Sequence, residues 1–212
     1  MTVYFGRYGA DGKQAVVVDG GFLLHRMASR GEAAYRMVFE ADLSAMVRQC
    51  AREIKRFEDR GVAVWVVFDG ATPPAKESTG DGRRLRRERK KTEAHELDAA
   101  AGSRLKVKLL AAEACSFDAR TTAQIATLLR PEIEGRVYIA PREADPQLVV
   151  FQDMMLEKGC DVMVSGNDSD LIPLGVQKLL LNHGAGRRSS RGPLYSREIN
   201  PAAAAVGLQE GH

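Results

Sequence analysis

The chain has 212 residues, of which 44% are hydrophobic and 28% charged, and its formal net charge is +3. This length predicts one hydrophobic core in a single domain that spans residues 1–212, and the small net charge indicates no class of partner. Three cysteines without a CxxC pair favour a reducing intracellular compartment over disulfides or a zinc site, and no run approaches the roughly 20 apolar residues of a membrane span.

In the first half of the chain, apolar runs predict strands, and apolar residues spaced three and four apart predict a helix. Each predicted strand ends at an acidic residue followed by glycine. The predicted elements are a strand at 14–18 ending at Asp19, the first turns of a helix at 22–26, an amphipathic helix at 41–57, and a strand at 62–68 ending at Asp69.

The second half opens with a segment of different character, because residues 76–119 are very basic at first and then rich in alanine. We interpret this segment as a helical excursion from the main body. The elements predicted after it are a helix at 121–129, a strand at 136–140, a helix at 148–156, a strand that opens the stretch 161–175, and a small hairpin of 179–181 with 193–195.

Strands that alternate with helices predict a parallel α/β sheet, in which ligands bind beyond the carboxyl ends of the strands. Acidic residues follow all four predicted strands. Such residues are common in turns and as helix caps, but a group of them at one edge would repel one another without cations. Oxygen ligands suit Mg²⁺ or Mn²⁺, and two such ions are typical of phosphodiester cleavage. These acidic residues are Asp19, Asp69, Glu143, Asp145, Asp168 and Asp170.

Five segments carry recognisable motifs: VVVDGGFLLHR, VVFDGATPPAKE, RRLRRERKK, IAPREADPQL and SGNDSDLIPLG. In this order and spacing they resemble the XPG family of structure-specific 5′ nucleases. The exonuclease-one branch is the most similar, and flap endonuclease is further off. The resemblance implies a PIN-like three-layer α/β core with a mostly parallel central sheet and a basic helical arch at about 76–119.

The activity that the resemblance implies is Mg²⁺-dependent hydrolysis of DNA at 5′ flaps, nicks, gaps or recessed 5′ ends, in repair or replication. The six acidic residues would hold two Mg²⁺ ions, with Mn²⁺ as a substitute, and Glu143 and Asp168 would also be catalytic. Lys76 and one arginine of the arch would lie over the scissile phosphate. Family spacing indicates Arg83, whereas alignment through RRERK indicates Arg86.

The resemblance also implies nucleic-acid contacts, at His25 near the cleavage point and along the arch. The basic run also fits a solvated helix or a nuclear import signal, which would make the protein nuclear in a eukaryote. His25 alone fits a packing role equally well. The expected contacts on the arch are Arg84, Arg87, Arg89 and Lys90.

The sequence departs from the family pattern at several points. It has no Met-Gly-Ile start, and Asn167 replaces the usual acidic residue. Pro146 falls where a helix usually begins, which allows Asp145 to be an N-cap. The segment Gly-Cys-Asp-Tyr, which carries a seventh carboxylate and leads to the family's duplex-gripping motif, is not present. We therefore expect a fragment, a short member, or a subunit completed by a protein partner.

Two other functions remain open from the sequence. The first is a non-catalytic PIN-like module that binds nucleic acid or scaffolds an assembly; a nuclease should bind two Mn²⁺ ions, whereas a scaffold should bind none. The second is an RNA nuclease, since no feature reads the 2′-hydroxyl. Residues 187–197, which are also basic, fit either a phosphate contact or a solvated hairpin tip.

Overall fold

The strands are short, apolar segments rich in valine, a residue whose branched side chain suits a sheet. A computed structural model describes residues 14–71, 77–180 and 196–198 of the chain. Within these residues the strands are β1 (Gln14–Asp19), β2 (Ala63–Phe68), β3 (Val137–Ile139), β4 (Asp161–Ser165), β5 (Lys178–Leu180) and β6 (Ser196–Glu198).

Seven α-helices occur in the same described residues, together with short 3-10 helices at Arg130–Ile133 and Ser169–Leu171. None of these helices is long and apolar enough to cross a membrane. The α-helices are α1 (Gly20–Ala28), α2 (Glu32–Glu40), α3 (Ser44–Glu58), α4 (Glu77–Ala99), α5 (Arg104–Ala114), α6 (Ala119–Leu129) and α7 (Asp145–Leu156).

Most of the predicted elements are confirmed, including the four strands and the helical excursion, which consists of α4 and α5 packed against each other. Helix α2 is not predicted from the sequence. The predicted antiparallel pairing of a hairpin is confirmed, because β5 and β6 pair antiparallel. Its second strand lies at residues 196–198, and the predicted residues 181 and 193–195 fall outside the described part of the chain.

The chain divides into two compact units, and the first comprises residues 1–19, 57–67 and 145–212. Its strands have the order β2-β1-β4-β5-β6, and all neighbours are parallel except β5 and β6. Val17 of β1 lies opposite Trp65 on one side and Val164 on the other. Helix α7 packs on β1 and β4 and buries Leu148 and Met155. The predicted α/β fold with a mostly parallel sheet is therefore confirmed.

The second unit comprises residues 20–56 and 68–144 and contains α1, α2, most of α3, β3, and α4 to α6. Helix α5 packs against both α4 and α2 and buries Val107, Leu110 and Ala111. The backbone N–H of Ala140, just after β3, donates to the carbonyl oxygen of Phe68 at 2.8 Å. The end of β2 and the end of β3 are thus joined within this unit. The prediction of a single domain stays a prediction.

Candidate functional site

Three acidic residues of the first unit lie at or beyond the carboxyl ends of two adjacent parallel strands. Asp19 is the last residue of β1, and Asp168 and Asp170 follow β4, which pairs with β1 in parallel register. The carboxyl ends of parallel neighbours lie at the same edge of a sheet. A Cβ atom on Gly166 would lie 3.8 Å from Cβ of Asp19, so the loop after β4 runs beside this carboxylate. Asp145 lies in the first turn of α7, where an acidic side chain is favourable.

The two carboxylates after β4 are exposed, and the loop that carries them is anchored by a buried leucine. Oδ1 of Asp168 accepts the backbone N–H of Asp170 at 3.0 Å, while Leu171 is completely buried. An aspartate that acts as a turn or helix cap makes a bond of this kind to a nearby backbone N–H. The bond engages one of the two carboxylate oxygens of Asp168. The loop therefore holds both acidic residues at the surface in a defined turn.

In the second unit, Asp69 organises the loop that carries Glu143. Oδ1 of Asp69 accepts the backbone N–H of Ala144 at 2.7 Å, and the N–H of Gly70 donates to the carbonyl oxygen of Arg142 at 2.6 Å. Glu143 is thus held between two anchored residues, and its side chain is half-buried. The sequence predicts both acidic residues, but only the fold reveals that Asp69 orders the loop of Glu143.

Gly70 lies so close to the chain after β3 that a side chain does not fit. A Cβ atom at this position would overlap the carbonyl oxygen of Ala140, which is backbone and cannot rotate away. We expect Gly70→Ala to lower the free energy of unfolding by about 1–3 kcal/mol, as other overpacking substitutions do. Urea denaturation of this variant beside Gly82→Ala tests the prediction. A Cβ atom on Gly82 meets no atom within 4 Å, and Gly82 has no positive φ. A Gly70→Ala protein as stable as the native protein would contradict this packing.

The predicted metal ligands are all carboxylates, and this donor set suits Mg²⁺ or Mn²⁺ rather than zinc. Among the side chains that the structure describes, however, no three His, Cys, Asp or Glu residues form a group that could hold a metal ion. The donor chemistry therefore fits the expected ions, while a preformed cluster is not found in these residues. The assignment of six carboxylates and two ions stays a prediction.

The basic residues expected to contact nucleic acid lie on α4, and acidic neighbours accompany them. Nζ of Lys90 lies 3.0 Å from Glu93 and 3.5 Å from Glu113, and Nη1 of Arg87 donates to Oγ of Ser116 at 3.3 Å. Arg84 and Arg89 are exposed. One face of the helix lines a cavity of about 590 Å³, formed by Arg86, Arg89, Lys90, Thr92, Glu93 and Glu96.

His25 packs on an aromatic neighbour within the second unit. Its ring meets Phe117 edge to face, with centroids 5.1 Å apart. Burial and, to a smaller extent, the charge of Arg87 hold the pKa of His25 below its ordinary value, so the imidazole is neutral at neutral pH. The contact with Phe117 fits the packing role, but the His25 side chain as a whole is exposed, so the structure does not decide between packing and substrate contact. The charge of Arg87 acts on His25, which therefore lies near a predicted nucleic-acid contact of α4.

Two of the predicted catalytic side chains lie outside the described part of the structure. Lys76 lies outside the described residues, and so does the side chain of Arg83, although its backbone belongs to α4. The basic segment 187–197 also falls largely outside them. The choice between Arg83 and Arg86 therefore stays open.

A second charged group, which the sequence analysis does not predict, lies between α1 and α3. Glu53 is only 4% exposed and contacts three arginines, which we call together the Glu53 cluster: Glu53, Arg26, Arg30 and Arg56. The sequence does indicate that Glu53 is buried. This residue lies three positions after Cys50 and directly before Ile54, on the apolar face of the helix.

Neither a protein-family model nor a curated protein matches the chain. Solved structures do resemble it. The catalytic core of Rad2 in complex with a DNA substrate is 15% identical, has a TM-score of 0.48, and matches 92% of this chain and 51% of its own. The eukaryotic junction-resolving enzyme GEN-1, solved with cesium, is 14% identical, has a TM-score of 0.47, and matches 94% of this chain and 34% of its own.

A third structure is the Holliday junction-resolving enzyme GEN1 with product DNA and Mg²⁺, which is 14% identical with a TM-score of 0.41 and matches 92% of this chain. These proteins are XPG-family nucleases, the family that the sequence motifs resemble. The chain spans between about a third and a half of their lengths.

Proposed function

We propose that the chain is a metal-dependent nuclease that hydrolyses DNA phosphodiester bonds. The observation that supports this proposal most directly is the position of Asp19, Asp168 and Asp170 after the carboxyl ends of β1 and β4. Ligands of parallel α/β sheets bind at this edge. Two exposed acidic residues held in one ordered turn have no role in the hydrophobic core, and they are suited to bind cations.

The proposed chemistry divides between the acidic and the basic residues. The carboxylates would hold two Mg²⁺ or Mn²⁺ ions, which would supply an activated water and offset the charge of the scissile phosphate. Arginines of α4 would bind the phosphate backbone of the substrate, as Arg86 and Arg89 are positioned on an exposed basic face. The finer proposal, from the family resemblance, is cleavage of 5′ flaps, nicks and recessed 5′ ends.

The test is cleavage of a labelled 5′-flap substrate and a nicked duplex, with Mg²⁺ or Mn²⁺, by the native protein and by Asp168→Asn. We expect the substitution and a chelator each to reduce cleavage by at least about 10²-fold, since loss of a metal ligand removes several kcal/mol of transition-state stabilisation. Asp161→Asn is the matched control. Asp161 begins the same strand at its opposite end and makes a partly exposed ion pair with Lys178 at 2.8 Å.

If Asp168→Asn cleaves as well as the native protein, the assignment of Asp168 as a metal ligand is wrong. Cleavage lost equally in the Asp161→Asn control would indicate damage to the strand instead. A single-stranded RNA substrate in the same assay distinguishes a DNA nuclease from an RNA nuclease.

A second candidate function is a non-catalytic module that binds nucleic acid within a larger assembly, with a protein partner. One observation favours it: two of the predicted metal ligands already have structural roles, since Oδ1 of Asp69 accepts the N–H of Ala144 and Oδ1 of Asp168 accepts the N–H of Asp170. Counting bound Mn²⁺ separates the two functions. Two bound ions that Asp168→Asn removes support the nuclease, whereas no binding at millimolar Mn²⁺ supports the module.

A further inference from the structure

Gln152 is a completely buried side chain on α7 that binds the backbone of the loop between β4 and β5. Its Nε2 atom donates to the carbonyl oxygen of Gly175 at 3.2 Å, and its Oε1 atom accepts the N–H of Gln177 at 2.9 Å. Nε2 also donates to Oδ1 of Asp153 at 3.3 Å. The nitrogen and the oxygen of the amide are both engaged, and two of these three bonds hold the same loop.

A glutamine at this position does more than fill space. Its amide offers a donor and an acceptor together, the pair that a residue of a neighbouring strand presents to a parallel strand. Leucine has neither group, and ionised glutamate has no donor. An apolar side chain would suffice for packing alone, because a buried polar group costs free energy unless its bonds are made. The bonds of Gln152 therefore indicate a role in fixing the path of the loop.

Further hydrogen bonds connect the part of the loop that Gln152 holds to the two exposed carboxylates. The N–H of Val176 donates to the carbonyl oxygen of Leu171 at 3.1 Å, and the N–H of Leu171 donates to that of Asp168 at 3.4 Å. Leu171 and Val176 are both buried, and Oδ1 of Asp168 accepts the N–H of Asp170. The position of Gln152 is thus passed along the backbone to Asp168 and Asp170.

The same helix carries a third predicted metal ligand. Asp145 is the first residue of α7, and Gln152 lies seven positions later, so the two residues share one face of the helix. About 10 Å of regular helix separates them, at a rise of 1.5 Å per residue. Gln152 therefore links the helix that begins with Asp145 to the loop that carries Asp168 and Asp170.

We propose that Gln152 is a positioning residue for the metal site, which holds Asp168 and Asp170 in place relative to Asp145. It touches neither an ion nor the substrate and acts through these carboxylates. Carboxylates brought together without a cation repel one another, so a loop that keeps them in place lowers the cost of binding the ions. The inference rests on the proposed function for the presence of metal ions, but not for the order of the loop.

The first test measures backbone hydrogen exchange by NMR in the presence of EDTA, so that no metal contributes. Gln152→Met keeps the length of the side chain and removes its donor and acceptor, whereas the control Met155→Ala shortens a buried side chain of the same helix. Relative to the amides of β1, we expect the amides of Asp170, Val176 and Gln177 to exchange at least about tenfold faster in Gln152→Met than in the control.

The second test is titration of each variant with Mn²⁺, in which the free ion is followed by its electron paramagnetic resonance. We expect Gln152→Met to bind Mn²⁺ about 10–100-fold more weakly than the native protein, as is typical when a group that orients a metal ligand is lost. Met155→Ala should bind Mn²⁺ as the native protein does. A residue that only stabilises the fold would leave the affinity of the folded protein unchanged.

A variant on the loop side keeps the inference testable if Gln152→Met does not fold. Gly175 is exposed and has a φ of 107°, which alanine rarely adopts, and a Cβ atom there would make only an ordinary contact with Val149 at 3.8 Å. Gly175→Ala should therefore disturb the carbonyl that Gln152 binds, speed exchange in the loop and weaken Mn²⁺ binding. The matched control is Gly159→Ala, which places the same kind of strain, at a φ of 76°, in the turn between α7 and β4.

The inference and the proposed function fail in different ways. Unchanged exchange of the loop amides in Gln152→Met would overturn the inference. Faster exchange with unchanged Mn²⁺ affinity would overturn it too, because the order of the loop would then have no effect on the ions. A native protein that binds no Mn²⁺ would contradict the proposed function instead, and exchange in EDTA would still decide whether Gln152 orders the loop.

Discussion

Replacing Glu53 with glutamine is expected to lower the free energy of unfolding by about 3–5 kcal/mol, the cost of breaking a buried ion pair from one side. Glu53 is 4% exposed, and its closest buried partner is Arg26, at 2.8 Å. Without the carboxylate, the guanidinium of Arg26 keeps its charge in the interior and has lost its counter-ion. Glutamine retains the size of the side chain and one acceptor oxygen, so the charge is the principal change.

Urea denaturation at neutral pH measures this loss, with Glu40→Gln as the control at an exposed glutamate. Burial raises the pKa of Glu53, but the hydrogen bond from Arg30 and the charges of Arg26, Arg30 and Arg56 outweigh it and hold the pKa below the ordinary value of 4.5. The carboxylate therefore stabilises the fold fully above that value and loses its effect as the pH falls through the lowered pKa. The native protein and Glu53→Gln should converge in stability at acid pH.

A double variant separates charge from packing. Replacing Glu53 and Arg26 together with leucine and methionine removes both buried charges, and such apolar replacements are often neutral or stabilising. We expect the double variant to recover most of the stability that Glu53→Gln loses. A double variant less stable than Glu53→Gln would show that packing, and not the unpaired charge of Arg26, dominates this contact.

The strands could be predicted from the sequence because their signal is local. Residues 62–68 are continuously apolar, and all of β2 is buried, so burial alone determines that element. The same holds for α3, whose apolar residues recur every three or four positions. The acidic residues after the strands could be predicted for a similar reason, since each lies at the end of an apolar run or within about five residues of it.

Helix α2 could not be predicted, because its formation depends on tertiary packing. It begins after Gly31, which has a φ of 83° and provides no side-chain cap, and it ends at Ala41 in a left-handed conformation. Lys108 of α5 pairs with Glu32 at 2.5 Å, and Tyr35 stacks on Phe39 with centroids 4.6 Å apart. These contacts involve a neighbouring helix or one turn of α2 itself, and no capping sequence marks either end.

The contact from Asp69 to Ala144 illustrates a further limit of the sequence. The two residues are separated by 75 positions, and no local pattern links them. The sequence predicts Asp69 as a metal ligand, whereas the fold shows a carboxylate that already fixes the backbone between Glu143 and Asp145. The two roles are compatible, since a carboxylate has a second oxygen.

Two substitutions of Asp69 separate these roles. Asp69→Asn keeps a carbonyl oxygen that accepts the N–H of Ala144 but removes the negative charge, so we expect the free energy of unfolding to stay within about 1 kcal/mol of the native value. Cleavage of the 5′-flap substrate should fall by at least about 10²-fold, because a ligand that a divalent cation requires is lost. Asp69→Ala should lose the same activity and, in addition, about 1–3 kcal/mol of stability, because the N–H of buried Ala144 loses its acceptor.

Urea denaturation and the cleavage assay on the same preparations decide between the roles, with Asp59→Asn as the control at an exposed aspartate after α3. If Asp69→Asn cleaves as fast as the native protein, the carboxylate serves only to order the loop of Glu143, and its assignment as a metal ligand is wrong. If both variants lose stability equally, the amide does not replace the carboxylate as an acceptor, and the activity of Asp69→Asn no longer isolates the charge. The expected pattern is lost cleavage in both variants, with stability retained in Asp69→Asn and lowered in Asp69→Ala, and it would assign both functions to this single side chain.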